Sequence, residues 1–292
     1  MFQNYQTGNK KQKTNFHENE ENIDKIKQYE SDQTDYSTDE PDPNFQNQLT
    51  PYDFESTSDE SEEIEPYVDY RHDIKFYLIL GPPGSGKSHL GRNLIVEGFK
   101  RNLWDYILVL AVSAGSGDYD YIDSRLKCAD PQRFKEKIEK LTNIQIRETE
   151  NAKRNNTRVP RALLVVDDPL GSVNWHDPIW KKIVSTYRQW YMDLMIMAQY
   201  IAALDLCFYT YYKKAYIFKQ VNPDSYKRVF ERFVSRHQGK TDMNSWQDVQ
   251  KKFSTLEKYQ FLVIETAEDI ENPIYIGQAK PLSEIQHIKI KL

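Results

Sequence analysis

The chain has 292 residues, a formal net charge of −5, 39% hydrophobic residues and 20 tyrosines. This length suits one large domain or two modest ones. Two cysteines are too few for a disulfide framework or a four-thiolate zinc site, and the six histidines show no HExxH spacing. Because no apolar run approaches the ~18–20 residues of a membrane helix, no membrane partner is expected. Residues 1–6 lack the apolar stretch of a secretory signal, so a protein that is not secreted is expected.

The charge is divided unevenly along the chain. Residues 1–70 hold 18 acidic and five basic residues, a net charge of −13, so residues 71–292 carry +8. The first segment is rich in Asn, Gln, Asp, Glu, Ser and Thr, and it cannot bury enough apolar area to offset its chain entropy. The composition predicts a disordered acidic arm over 1–70 and a folded basic domain over 71–292.

From about residue 71, apolar runs alternate with helical patterns, which is typical of βαβ units around a parallel sheet. Continuous apolar runs predict buried strands, and apolar residues at helical spacing predict helices. In chain order we expect a strand at 76–80, a helix at 88–100, a strand at 106–112, a helix at 131–150, a strand at 162–166, a helix at 178–188, strands at 194–198 and 215–218, helices at 224–233 and 244–254, and strands at 260–265 and 273–276. The predicted fold is α/β, with a central, mostly parallel sheet flanked by helices.

Directly between the first strand and the first helix, Gly81–Ser88 matches G-x-x-x-x-G-K-[ST] in full. Glycines let backbone N–H groups approach phosphate oxygens, Lys87 supplies a cation to the β- and γ-phosphates, and Ser88 offers a hydroxyl to Mg²⁺. The helix that follows directs its positive N-terminus at the anion. The motif predicts a P-loop NTPase with ATP and Mg²⁺ as cofactors. The predicted nucleotide-binding residues are Gly81, Pro82, Pro83, Gly84, Ser85, Gly86, Lys87, Ser88 and His89.

Two carboxylates, Asp167 and Asp168, follow the four aliphatic residues of the third predicted strand. A carboxylate at the carboxyl end of a central strand reaches the same crevice as the phosphate loop. We expect Asp167 to hold Mg²⁺ together with Ser88, and Asp168 to polarise the attacking water. Since Asp168 precedes Pro169, a residue that caps the next turn is the alternative.

Two polar residues frame the strand predicted at 194–198. In ATPases with an additional strand between the two nucleotide motifs, this strand lies beside the phosphate-loop strand, so Gln199 would sense the γ-phosphate by hydrogen bonding; an ordinary strand-end amide is the alternative. Arg188 precedes the strand and is a candidate arginine finger, acting in trans if subunits form a ring. Its alternative is a cation that stabilises a helix C-terminus. The predicted catalytic residues are Lys87, Asp168, Arg188 and Gln199.

In combination, Gly81–Ser88, Val165–Asp168, Arg188 and Gln199 resemble the FtsK–HerA superfamily of P-loop ATPases. More closely, they resemble the poxvirus-type DNA-packaging ATPases found also in other large DNA viruses, virophages and Polinton-like elements. The resemblance covers roughly residues 74–220, and residues 221–292 add C-terminal helices and strands. Members often carry Arg-His before the fourth strand, where this chain has Arg188 followed by Gln.

The resemblance implies a homo-oligomeric ring that hydrolyses ATP to drive double-stranded DNA into a preformed capsid. Lys87 would then bind phosphate, Ser88 and Asp167 would hold Mg²⁺, and Asp168 would be catalytic. Arg188 would be the arginine finger and Gln199 the sensor. Capsid or portal proteins are further expected partners. The expected location is the host-cell interior, in the cytoplasm or nucleus at a viral assembly site, or the virion.

Two basic stretches agree with a nucleic-acid partner. They are Arg228, Arg232 and Arg236, at helical spacing, and Lys153, Arg154, Arg158 and Arg161, before the third predicted strand. Phosphate contacts from such stretches give affinity without sequence specificity. A solvated face or a subunit contact is the alternative for either one. The loop at 114–121 is a candidate moving element.

Two other functions fit the same motifs. A P-loop kinase that phosphorylates a nucleotide or another small molecule is the first, although the sequence shows no compact arginine-bearing lid and the paired carboxylates favour water as acceptor. A nucleotide-gated scaffold with little turnover is the second. DNA-stimulated phosphate release separates the motor from both.

Overall fold

An eight-stranded sheet organises the computed structural model, which describes residues 73–168, 173–266, 270–280 and residue 290. The described residues all belong to the unit Pro51–Leu292. Residues 1–70, for which the sequence predicts a disordered arm, lie outside the described residues. No helix within these described ranges is both long and apolar enough to cross a membrane.

The strands and helices lie within five residues of their predicted positions, except that the short strand β3 and the helix α4 were not predicted. The strands are β1 (Phe76–Leu80), β2 (Tyr106–Ala111), β3 (Lys127–Cys128), β4 (Ala162–Asp168), β5 (Met192–Ala198), β6 (Lys214–Phe218), β7 (Gln260–Glu265) and β8 (Ile274–Gln278). The helices are α1 (Lys87–Lys100), α2 (Phe134–Asn155), α3 (Pro178–Thr186), α4 (Leu206–Tyr211), α5 (Pro223–Val229) and α6 (Trp246–Ser254).

The strand order across the sheet is β3-β2-β4-β5-β1-β6-β7-β8. The first six strands in this order are parallel, whereas β7 and β8 are antiparallel to their neighbours. The predicted neighbours β1 and β5 do pair, with Leu80 opposite Ala198. Because the carboxyl ends of parallel strands meet at one edge, the loops after β1, β2, β4 and β5 share that edge.

Helices cover both faces of the sheet, which explains the continuous apolar runs of the central strands. Leu78 and Ile196 point to one face and join a core that includes Ile138 of α2. The alternate residues of β5, Met195 and Met197, point to the other face and lie against Gly91 of α1. Every residue of β5 is buried.

The helix predicted over 224–233 is not a single α-helix. Helix α5 ends at Val229 and continues as one π-helical turn, Phe230–Val234, and one 3₁₀ turn, Ser235–His237. The wider π turn and the tighter 3₁₀ turn change the angle between successive side chains. The three arginines are therefore not on a single α-helix, but Arg232 and Arg236 both contact Tyr209 and so lie on the same side of the segment.

Candidate nucleotide-binding site

The loop Gly81–Gly86 connects β1 to α1 at the shared edge of the sheet. Its backbone turns twice through positive φ, at Gly84 (φ 72°) and Gly86 (φ 108°), a conformation that side chains with a Cβ rarely adopt. Gly81 donates its backbone N–H to the carbonyl oxygen of Ala198 at 3.2 Å, which ties the start of the loop to the end of β5. The loop therefore has the sharp turns that a phosphate cradle at a helix N-terminus requires.

Lys87 begins α1 with its side chain folded back over the loop. Its Nζ donates to the carbonyl oxygens of Gly81 at 2.7 Å and Pro82 at 3.1 Å, and the residue is only 6% exposed. Burial lowers the pKa of Lys87, and the nearby Asp167 carboxylate opposes that shift. A buried cation held by neutral carbonyls is suited to an anionic ligand.

Asp167, on β4, lies beside the first turn of α1. Its Oδ2 accepts hydrogen bonds from the hydroxyls of Ser88 at 2.8 Å and Tyr119 at 2.9 Å. Asp167 is 2% exposed. Burial raises the pKa of its carboxyl, and the bonds from Ser88 and Tyr119 oppose the rise. The contact between Ser88 and Asp167 brings together two residues that stand 79 positions apart, as the sequence predicts.

The donor atoms at this point fit Mg²⁺. A serine hydroxyl and a carboxylate are hard oxygen ligands, and Mg²⁺ in phosphate sites takes few protein ligands and completes its shell with water and phosphate oxygens. Among the described residues there is no group of three or more His, Cys, Asp or Glu side chains that could hold a metal by themselves. The pair Ser88 and Asp167 therefore suits a metal that arrives together with phosphates.

Two further predicted residues lie at the same edge. Gln199 directly follows β5 and is 8% exposed, next to the Ala198 carbonyl that anchors the phosphate loop. Asp168 is the last residue of β4, and its backbone pairs in register with Ala198. The catalytic roles predicted for the two side chains stay predictions.

Arg188 lies at the opposite edge of the sheet. It is an exposed residue of the 3₁₀ turn Tyr187–Trp190 that precedes β5, with its guanidinium carbon 5.9 Å from the ring centroid of the buried Tyr187. Strand β5 has seven residues, so its two ends are about 20 Å apart at a rise of about 3.3 Å per residue. Arg188 is therefore not part of the phosphate-loop site of its own chain.

Tyr119 is a site residue that the sequence interpretation missed. It lies in the loop at 114–121, after β2, but it is 1% exposed and directly bonded to Asp167. Its ring stacks on Tyr121 with centroids 5.9 Å apart, and the guanidinium of Arg92 lies 4.4 Å from the Tyr121 centroid. In a chain with 20 tyrosines, no local signal distinguishes this one.

Several arginines of the predicted basic stretches have structural partners. Arg161 is 8% exposed and forms an ion pair at 2.8 Å with Asp193, which is fully buried. The prediction that Arg161 belongs to a nucleic-acid surface is therefore wrong. Arg232 lies over the Tyr209 ring at 5.6 Å, and Arg236 donates to the Tyr209 carbonyl oxygen.

A cleft of about 830 Å³ opens from the phosphate loop toward the β7–β8 side of the sheet. The loop and the start of α1 form one wall, with Lys87, Ser88 and His89. The other wall comes from Tyr259, which precedes β7, and from residues 278–280 at the end of β8. The antiparallel strands thus extend the site beyond the part that the sequence motifs identify.

No protein-family profile and no curated protein matches the chain. Solved structures match in fold. The genome packaging NTPase B204 from Sulfolobus turreted icosahedral virus 2, in complex with ATP-gammaS, is 17% identical with a TM-score of 0.50, over 71% of this chain and 98% of that chain. Its sulfate complex is 14% identical with a TM-score of 0.51 over the same shares.

B204 from Sulfolobus turreted icosahedral virus, described as a DNA-packaging ATPase, is likewise 17% identical with a TM-score of 0.50, over 71% of this chain and 98% of that chain. At these identities the likeness concerns the fold. The resemblance in the motifs and the likeness in fold agree: the chain has a P-loop NTPase fold similar to that of a viral genome-packaging ATPase.

Proposed function

We propose that this protein is an ATPase that translocates double-stranded DNA and packages a viral genome into a capsid. The observation that carries the ATPase part is the meeting of Ser88 and Asp167 at 2.8 Å, beside a phosphate loop that holds a buried lysine. The likeness in fold to B204, a genome packaging NTPase solved in complex with ATP-gammaS, supports the packaging part.

In this proposal Gly81–His89 binds the phosphates of ATP. Lys87 exchanges its bonds to the Gly81 and Pro82 carbonyl oxygens for bonds to phosphate oxygens. Ser88 and Asp167 hold Mg²⁺, which, when bound, neutralises charge that develops on the phosphates. The adjacency of these groups in the described site supports the assignment.

Asp168 polarises the attacking water, and Gln199 senses the γ-phosphate. Their support is positional. Asp168 ends β4 in register with Ala198, and Gln199 directly follows Ala198, whose carbonyl oxygen binds the backbone of Gly81. Groups at this edge of the sheet face the same crevice.

Arg188 acts in trans, on the nucleotide of a neighbouring subunit in a homo-oligomeric ring. Its exposure and its position at the far edge of the sheet support this role, because a finger must reach out of its own chain. A ring also gives each site a second chain from which transition-state charge is stabilised.

The proposed domain boundary lies where the net charge of the chain changes from negative to positive. We propose an acidic arm over 1–70 and an ATPase domain over 71–292, with its core at about 74–220. The arm competes with DNA for the basic domain or tethers the motor to a basic partner. Capsid or portal proteins, and a site of action in the host-cell interior or the virion, complete the proposal.

The test is an ATPase assay on the full chain with and without linear double-stranded DNA, read beside the oligomer size in solution. We expect Mg²⁺-dependent phosphate release that DNA stimulates, and loss of release in Lys87→Ala. If the arm competes with DNA, deletion of 1–70 raises DNA affinity and changes its dependence on salt, whereas no change would dismiss competition.

Each contrary result has a defined meaning. Phosphate transfer to a nucleoside monophosphate, with no stimulation by DNA, would replace the motor with a kinase. Nucleotide binding without turnover, with DNA present, would replace it with a nucleotide-gated scaffold.

A further inference from the structure

The second wall of the cleft carries an aromatic ring whose position is not explained by burial. Tyr259 is 40% exposed, and it precedes β7 with φ at 65°. Positive φ is an outlier for a bulky side chain and persists only where the surroundings hold it. The ring lies on the phosphate loop itself, because a Cβ added at Gly86 would meet the Tyr259 Cδ1 at 2.9 Å.

His89, the residue after Ser88, adds a second ring. The ring centroids of His89 and Tyr259 are 5.8 Å apart, with their planes at 35°. The flexible side chain of Lys258 places its Nζ 5.0 Å from the Tyr259 centroid, which adds positive charge next to the rings. The cleft is thus cationic at the phosphate loop and aromatic farther along.

The wall is anchored on both sides. The backbone N–H of Ala279, after β8, donates to the Tyr259 carbonyl oxygen at 3.3 Å. The carbonyl oxygen of Lys280 contacts the Nε2 of His89 and accepts a hydrogen bond from Asn93 at 3.3 Å. These bonds connect Tyr259 and the end of β8 to α1, the helix that carries Lys87 and Ser88.

We propose that Tyr259 and His89 form the subsite for the nucleobase of a nucleoside triphosphate, with residues 278–280 as its outer rim. The inference rests on the proposed function, because it takes the phosphates to lie at Lys87 and Ser88. A nucleotide whose phosphates lie there extends its ribose and base along the cleft past His89. A cleft of about 830 Å³ is within the usual size of such sites.

The chemistry of the subsite is stacking on a π-face, which every base has. The subsite therefore contributes affinity for a nucleobase but discriminates little among the different bases. The ring makes its contribution only to ligands that carry a base, which separates this subsite from the phosphate cradle.

The experiment compares two probes, ATP and inorganic tripolyphosphate, each with Mg²⁺, by isothermal titration calorimetry on the full chain. Tyr259→Ala is expected to weaken ATP binding about 5- to 100-fold, as expected for loss of one stacked base, and to leave tripolyphosphate binding unchanged. Tyr259→Phe keeps the ring and is expected to bind both probes as the wild type does. Tyr211→Ala is the matched control, since Tyr211 is 39% exposed and lies at the end of α4, outside the cleft.

Equal ATP affinity in Tyr259→Ala and wild type would overturn the inference, and so would an equal loss of both probes, which would make Tyr259 a support of the loop. If the alanine variant does not fold, Tyr259→Leu keeps bulk against Gly86 without an aromatic face and gives the same comparison. Wild-type protein that binds neither probe would instead overturn the proposed function. Lys87→Ala, expected to lose both probes, identifies the phosphate cradle separately.

Discussion

The hydroxyl of Tyr119 donates to the Asp167 carboxylate at 2.9 Å, on the same oxygen that accepts the Ser88 hydroxyl. A tyrosine from the loop after β2 thus holds the carboxylate that we assign to Mg²⁺. Because this bond joins the loop after β2 to the end of β4, the position of the Asp167 carboxylate depends on the position of the loop.

Tyr119→Phe removes this donor while keeping the ring. A hydrogen bond to a charged group contributes about 1.5–3 kcal/mol, so we expect Asp167 to be held less firmly and the Mg²⁺ concentration for half-maximal ATPase activity to rise several-fold. Steady-state rates across a Mg²⁺ titration measure this. Tyr121→Phe is the control, since the Tyr121 hydroxyl is buried and has no hydrogen-bond partner among the described residues. A similar rise in both variants would contradict a specific role for Tyr119.

Asp168→Asn separates a catalytic carboxylate from a structural one. If Asp168 polarises water, the amide cannot accept the proton, and we expect the hydrolysis rate to fall at least about 100-fold, the usual contribution of a general base. ATP affinity, measured by calorimetry, is expected to stay within about twofold. Loss of ATP binding in this variant would mean that Asp168 supports the fold of the β4 end.

Arg188 and Lys87 lie at opposite edges of the sheet, so a finger in trans predicts complementation between subunits. Arg188→Ala and Lys87→Ala are each expected to lack ATPase activity, since an arginine finger contributes about 10³–10⁵ in rate. Mixed oligomers contain sites with an intact Lys87 and a neighbour's intact Arg188, so activity is expected to return in part. An absence of activity at every mixing ratio would point to a structural arginine. Arg101→Ala, which removes an exposed arginine directly after α1 that pairs with Glu97, is the control.

The pair of Arg161 and Asp193 is expected to matter for folding. Arg161 donates to both carboxylate oxygens of Asp193, which also accepts from the indole of Trp104 and the backbone of Lys75. Arg161→Ala leaves the carboxylate without its cation, and we expect the free energy of unfolding to fall by about 3–5 kcal/mol in urea titrations. Arg158→Ala, at a partly exposed pair with Asp105, is expected to cost about 0–1 kcal/mol. Equal losses would contradict the difference in burial as the cause.

The strands and the nucleotide motifs could be predicted because their signals are local. The central strands are buried on both faces, so each reads as an unbroken apolar run, as β5 does. The motif at Gly81–Ser88 encodes the turns that its glycines adopt. The position of Asp167 beside Ser88 then follows from the rule that parallel strands present their carboxyl ends at one edge.

Other features could not be predicted because they depend on partners far along the chain. Arg161 belongs to a positively charged stretch of the sequence, yet it is buried because it pairs with the carboxylate of Asp193, 32 positions away. The apolar spacing over 224–233 predicts one α-helix, whereas the structure has a π turn and a 3₁₀ turn after Val229. Helical propensity alone does not distinguish these states, because tertiary packing selects between them.

By itself, the sequence determined that this protein has an α/β sheet, a phosphate loop at Gly81–Ser88 and an acidic residue at the end of a neighbouring strand. Each of these features depends on the residue types within a short segment of the chain. Only the tertiary structure decided that Tyr119 bonds to Asp167, that Tyr259 lies on Gly86, and that Arg188 lies away from its own site. These relationships arise when the strand order brings distant loops to one edge or separates them. No short segment contains that order, so packing of the whole sheet is what determines it.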